Sequence, residues 1–182
     1  RHNILTNQDI LNIMATKDIG LEFKTDTRFS YCNTNYAMLA LIIEKITKLS
    51  YEKAMKQIIF EPLGMKNTYV FDYERDKDSA VTSYKGNKVE IGLDYLDAVY
   101  GDKNIYSTPR DLLKFDRARN TPDFLTPEII SMVYTPYSNE HKGRKNYGLG
   151  IRMVNWETGQ NFYFHNGWWH GNTSSYITLQ KE

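Results

Sequence analysis

Apolar positions follow helical spacing over most of this chain and strand alternation at its end. Ile10, Leu11 and Met14 form a stripe behind Thr6 and Asp9, which resemble a helix N-terminus, so a helix is predicted there and Gly20 ends it. Tyr36, Leu39, Ala40, Ile43 and Ile46 recur at intervals of three and four, predicting a helix over 34–48. Ser50 is the expected N-cap of a shorter helix, Tyr51–Phe60, which Glu61-Pro62-Leu63-Gly64-Met65 then breaks. Thr108-Pro109 with Asp111, and Thr126-Pro127-Glu128 before Ile129, Ile130 and Val133, each place proline at the first helical position. Residues 72–104 mix charges with tyrosines and predict no regular element, and Lys142–Lys145 reads as a polar loop. Strands are predicted at Tyr147–Val154, Asn161–His165 and Ser174–Leu179, the first two joined by a turn at Thr158-Gly159. Helices first and an antiparallel meander last indicate the α+β class, with the helices segregated from the sheet.

Composition narrows the function. The chain has 182 residues, 41% hydrophobic and 25% charged, with a formal net charge of +1. No basic tract is present, so no nucleic-acid partner is expected. No apolar run approaches the roughly 18 residues that span a bilayer. The single cysteine, Cys32, excludes an internal disulfide framework and a Cys-rich zinc site. His165 and His170 have no third partner at ligand spacing, so no metal is expected. The chain opens at Arg1 in polar text and closes at Gln180-Lys181-Glu182 directly after a strand-like run. Both ends are therefore expected to be cuts within a larger domain.

Two segments carry chemistry. In Phe29-Ser30-Tyr31-Cys32-Asn33, a phenol and a carboxamide stand two residues apart before a helix, so both could face one pocket at its positive end. A serine hydroxyl needs a base beside it, and a tyrosine serves when neighbouring cations lower its pKa. The plainer alternative is that Asn33 caps the helix and Tyr31 packs on the core. In His165-Asn166-Gly167, His165 could donate to a substrate carboxylate or oxyanion. Gly167 would admit substrate to the backbone, and the Trp168 N–H could complete an oxyanion hole. The plainer alternative is that Asn-Gly is a hairpin turn. Trp168 and Trp169 could wall a substrate pocket or simply anchor a loop. Ser50-Tyr51-Glu52-Lys53 is a literal Ser-x-x-Lys, but its place between two helices, with Glu52 and Lys53 on a charged surface, makes Ser50 a cap and not a nucleophile.

Taken in order, these segments resemble the serine β-lactamase and penicillin-binding-protein family of the class C type, which includes esterases and D-peptidases. Phe29–Tyr36 resembles its Tyr-x-Asn motif and the helix that follows. Ile59–Met65 resembles its Pro-Leu-Gly-Met turn, and Gly101–Thr108 with Asp111-Leu112 another recurring stretch. Tyr147-Gly148-Leu149-Gly150 resembles the strand before the third motif, and His165-Asn166-Gly167 the His-x-Gly form of that motif. The resemblance implies a partial β-lactamase/transpeptidase-like fold. Residues 1–182 would be part of one domain, mainly helical to about 140 and antiparallel strands over 141–182, with both terminal parts elsewhere.

It also implies roles. Tyr31 would be the general base or its relay, and Asn33 would contact the substrate amide and a catalytic lysine. His165 and Gly167 would line the oxyanion edge, with the Trp168 N–H as one donor. The reaction would use no metal or organic cofactor, and its substrate would be a small molecule or peptide: a β-lactam, a D-amino-acid peptide or a small ester. The family's Ser-x-x-Lys lies well upstream of Tyr-x-Asn, so this stretch alone is expected to be inactive and to self-associate. The resemblance further implies an exported bacterial protein. His165 stands where typical class C β-lactamases carry Lys, which weakens the case for a β-lactamase against an esterase or a peptidase. The alternatives are a non-catalytic penicillin- or peptidoglycan-binding or sensor protein with the same pocket, or an unrelated α+β domain whose motifs are chance capping and hairpin signals.

Overall fold

The computed structural model describes residues 3–138, 144–156 and 161–179. The elements in chain order are α1 (Asn7–Thr16), α2 (Asn33–Thr47), α3 (Tyr51–Met55) running into a π-helical turn (Lys56–Phe60), β1 (Tyr69–Val70), α4 (Tyr73–Asp76), β2 (Ser83–Tyr84), β3 (Glu90–Ile91), β4 (Ile105–Tyr106), α5 (Pro109–Arg119), α6 (Pro127–Val133), β5 (Lys145–Tyr147), β6 (Arg152–Asn155), β7 (Asn161–Trp169) and β8 (Asn172–Leu179). The contacts divide the chain into two compact units: Arg1–Leu21 with Tyr31–Phe115, and Glu22–Ser30 with Asp116–Glu182.

In the first unit, α1 starts at a reciprocal capping box between Thr6 and Asp9. It ends at Thr16, before Gly20, with Lys17 as C-cap. Buried Asn7 ties α1 to its surroundings: its amide donates to the carbonyls of Ala37 (2.9 Å) and Tyr100 (2.8 Å), and its Oδ1 accepts from the Tyr100 N–H. The buried face of α2 is made by small residues, Ala37 and Ala40, while Leu39, Ile42 and Ile46 of the same helix stay exposed. The small face has a steric reason. Gly101 (φ +98°) lies so close that a Cβ there would meet the Tyr36 carbonyl oxygen at 2.6 Å and the Ala40 Cβ at 2.8 Å.

Ser50 caps α3 by accepting from the Lys53 N–H, as expected of it. The predicted single helix Tyr51–Phe60 widens to π-helical turns from Lys56 onward. Residues 72–104, where no regular element was expected, hold one short helix, α4, and two short strands, β2 and β3. The core of this unit gathers Ala40, Tyr51, Phe60, Met65 and Val70. The Pro62–Met65 turn is clamped to α5. Lys114 donates to the Gly64 carbonyl and to Asp111 (2.7 Å), while Asp111 also accepts from the Asn67 N–H (2.7 Å) and the Thr68 hydroxyl (3.1 Å). The Lys114 hydrogen bond, foremost, holds the Asp111 carboxyl below the usual carboxylate range.

The second unit contains a four-stranded antiparallel sheet in the order β5-β6-β7-β8. The single strand predicted over Tyr147–Val154 is in fact two, because the chain reverses through Gly148–Gly150. Gly150 takes φ +76°, and a Cβ on Gly148 would meet the Val133 carbonyl oxygen at 2.1 Å. The β7 and β8 strands run longer than predicted, to Trp169 and from Asn172. The predicted Thr158-Gly159 turn and residues 142–143 of the predicted Lys142–Lys145 loop lie outside the described residues, while Lys145 opens β5. β8 is tied down by Asp116, one of whose oxygens accepts from Tyr176 (2.6 Å), Thr178 and Arg119. Burial opposes that charge, but these donors hold the carboxyl below its ordinary range.

Candidate functional site

The first group of candidates stands at the start of α2. Cys32 is the N-cap, extended at φ −144° and ψ 116°, and its side chain makes no cap bond. Asn33 is thus the first residue of the helix and not its cap, which corrects the capping alternative. An extended residue between them sets Tyr31 and Asn33 on one side of the chain. Both are exposed, and the Asn33 carboxamide has no hydrogen-bond partner among the described residues. Tyr31 is 42% exposed, its ring 6.5 Å from that of Tyr36, so it is not a core residue. The pair borders a helix N-terminus whose first-turn N–H groups no capping side chain covers, an electropositive place.

The second group lies on β7. Asn166-Gly167 is not a hairpin turn: both residues are within the strand, opposite Ser175 and Ser174, and the reversal comes at His170-Gly171, with His170 at φ +51°. His165 is consequently mid-strand, opposite Tyr176. Its ring nitrogens are both engaged. Nδ1 lies 2.9 Å from the Asn166 carbonyl oxygen and Nε2 lies 2.9 Å from the Tyr147 hydroxyl. A carbonyl only accepts, so Nδ1 carries a proton, and in the neutral ring Nε2 accepts from Tyr147. Burial, and then the charge of Arg152, hold His165 below its ordinary pKa of 6.5, while the Asn166 carbonyl works the other way. Near neutral pH the ring is therefore uncharged.

Strand parity locates the backbone donor. Gly148 N–H bonds to the Ile151 carbonyl and Asn155 N–H to that of Arg144, so odd-numbered β6 residues face β5 and even-numbered ones face β7. By the register Arg152↔Phe164 and His165↔Tyr176, residues 165, 167 and 169 bond to β8. The Trp168 N–H then points away from β8, toward the edge of β7 past Arg152–Phe164, where the described β6 pairing stops. A Cβ on Gly167 would meet only the Ser174 hydroxyl, at 2.5 Å. Trp168 is 71% exposed and Trp169 half-buried against His170. Among the described residues, no cluster of three His, Cys, Asp or Glu is placed to hold a metal.

Tyr147 carried no sequence signal for this position beyond its Tyr-Gly-Leu-Gly context. It is 3% exposed, packed on Phe29 (5.2 Å between ring centroids) with the Arg152 guanidinium 5.5 Å from its own ring centroid.

Known proteins bear on this arrangement. The profile of the beta-lactamase family matches residues 12–182. The chain belongs to the beta-lactamase family. Penicillin-binding protein 4* of Bacillus subtilis (strain 168) is 28% identical over 97% of this chain and 42% of its own length. A teichoic acid D-alanine hydrolase of Staphylococcus aureus is 30% identical over 65% of this chain and 31% of its own. The octameric penicillin-binding protein homologue from Pyrococcus abyssi superposes with a TM-score of 0.78 at 26% identity, covering 96% of this chain and 41% of that one. A D-stereospecific amidohydrolase from Streptomyces sp. (TM-score 0.77, 22% identity, 98% of this chain, 54% of that one) shares the fold. The chain thus spans less than half the length of the curated relatives it matches. The α+β architecture expected of this beta-lactamase-family chain, helices and antiparallel sheet, is the one found. Among the described residues no helix is long and apolar enough to cross a membrane.

Proposed function

We propose that the whole protein is a serine hydrolase that forms an acyl-enzyme on a serine outside these 182 residues and then hydrolyses it. The observation that carries this reading is the exposed Tyr31–Asn33 pair at the uncapped start of α2, in a chain of the beta-lactamase family. Tyr31 serves as general base or its relay, taking the serine proton. Asn33, whose carboxamide is unoccupied among the described residues, holds the substrate amide. His165 and Gly167 line the oxyanion edge, and the outward Trp168 N–H is one of its donors. Trp168 and Trp169 bound the acyl pocket. Ser50 takes no part, because it is accounted for as a cap.

The substrate is a β-lactam, a D-amino-acid peptide or a small ester. The names of the relatives, a teichoic acid D-alanine hydrolase and a D-stereospecific amidohydrolase, favour a D-configured acyl group. No metal or organic cofactor enters this chemistry, and an exported protein is its natural setting. The test is acylation of the full-length protein by a fluorescent penicillin and by a panel of D-amino-acid amides and esters, followed by mass spectrometry of the adduct. Tyr31→Phe should lower kcat/KM by about 10²- to 10⁴-fold. A folded protein that forms no adduct with any of them refutes the reading. An adduct that forms and never turns over supports the penicillin-binding alternative.

A further inference from the structure

A cavity in the first unit shares none of its lining residues with the Tyr31–Asn33 pair or the His165 group. It measures about 460 Å³, within the roughly 300–1,000 Å³ of small-molecule sites. Its floor is apolar: Phe60, Met65 and Val70 line it, each 4–5% exposed. Thr68 also lines it, but its hydroxyl is already engaged with Asp111 and with Ser107 (2.8 Å). One wall comes from the helix that Ser50 caps. Glu52, Lys56 and Phe60 stand four apart along it, and from Lys56 it widens into the π-helical turn, closed by the Glu61 N–H on the Lys56 carbonyl (2.9 Å). Such turns are rare and recur at functional sites. Glu61 and Lys66 flank the Pro62–Met65 turn, and both line the cavity.

The charges at the rim decide what fits. Glu52 is held by the Arg75 guanidinium at 2.5 Å. Glu61 meets Lys56 only at 3.7 Å, with both side chains more than half exposed, so that pair is loose. Lys66 makes no ion pair or side-chain hydrogen bond among the described residues. An apolar anion would pair with Lys66 but face Glu61, and an apolar amine would pair with Glu61 but face Lys66. A ligand that carries both charges on one carbon pairs with both. We propose that this cavity binds a free apolar α-amino acid, with its carboxylate on Lys66, its ammonium on Glu61 and its side chain on Phe60, Met65 and Val70. The site belongs to the first unit alone and does not rest on the serine-hydrolase reading above.

The experiment titrates full-length protein, ¹³C-labelled at the methionine methyls, with leucine and follows the methyl signals by NMR. Met65→Leu, a volume-conserving change, identifies the Met65 signal by its loss. That signal should shift saturably with a Kd on the order of 1 mM, since both ionic contacts are exposed and the hold is mainly apolar. Alanine, whose side chain is three carbons shorter, should bind at least about tenfold more weakly, because each buried CH₂ is worth about a fourfold change. Leucinamide lacks the carboxylate and 4-methylpentanoate lacks the ammonium. Each should bind about two- to fivefold more weakly than leucine, the size of one exposed ion contact. Lys66→Gln should remove the advantage of leucine over leucinamide, and Glu61→Gln its advantage over 4-methylpentanoate. Both positions are exposed, so the remaining methionine signals should stay in place and report an intact fold. No Met65 shift up to roughly 50 mM leucine, or equal affinity for leucine and alanine, overturns the proposal. So does leucine binding that Lys66→Gln and Glu61→Gln both leave unchanged. If 4-methylpentanoate binds as tightly as leucine, the cavity is a site for apolar anions and the amino-acid assignment is wrong.

Discussion

At the scale of single residues, the groups that matter most for shape were the least conspicuous in sequence. Asn7 looks like any polar residue in a first helical turn, yet it is 1% exposed and serves three backbone groups. Asn7→Ala would leave two carbonyls and one N–H unpaired in the interior and should cost about 3 kcal/mol in urea unfolding, with no effect of its own on chemistry. Ser50 is the opposite case: its sequence context already spoke for a cap. Ser50→Ala should lower stability by about 1 kcal/mol and leave turnover of the full-length protein intact. His165 makes a pH-dependent contribution whose sign follows from its lowered pKa. The unfolded chain takes up the proton near pH 6.5, the folded one only at lower pH, so stability is level above about 6.5 and falls as the pH drops through the window below it. His165→Gln should flatten that limb of a stability–pH profile, and an unchanged limb would assign it to other groups.

At the scale of elements, local signals were legible and long-range ones were not. Thr6 with Asp9, Ser50, Pro109 and Pro127 all mark helix starts that the structure has, because a cap is written within four residues. Tyr147–Val154, by contrast, alternates well enough to pass for one strand. What divides it is the backbone of Val133, packed against Gly148 and accepting from the Leu149 N–H at 3.0 Å, and no local rule reveals that approach. Gly148→Ala should therefore destabilise by about 3 kcal/mol or more, well beyond a usual glycine-to-alanine change, in thermal or urea unfolding. Asn166-Gly167 failed in the other direction. A strong local hairpin signal was overridden by the cross-strand register, which puts the reversal at His170-Gly171. Of the candidate site, the residue types were readable from motif order. The engagement of the His165 ring nitrogens and the Tyr147 contact depend on β5 returning beside β7 through β6, which only the sheet order discloses.

At the scale of the whole molecule, the notable property is apolar surface that nothing within the described residues covers. On α2, Leu39, Ile42 and Ile46 are 50%, 49% and 75% exposed, although Leu39 and Ile46 belong to the periodic stripe that predicted the helix. On the sheet, Ile177 and Leu179 of β8 are 59% and 75% exposed, and β8 is the last strand in the order, with its outer edge unpaired among the described residues. This chain covers 42% of penicillin-binding protein 4* and 41% of the Pyrococcus abyssi homologue. Exposed strand edges and contiguous apolar faces favour pairing with another copy. The 182-residue chain by itself is therefore expected to form dimers or larger species in a concentration series followed by light scattering. Ile177→Lys places a charge on the edge strand, where it opposes edge-to-edge pairing, and should shift the distribution toward monomer. A monodisperse monomer throughout the series, unfolding in one cooperative step, would mean that these surfaces are compatible with a self-sufficient unit and would overturn the expectation. Association that Ile177→Lys leaves unchanged would move the contact from the β8 edge to the exposed face of α2, which Ile46→Lys would then test.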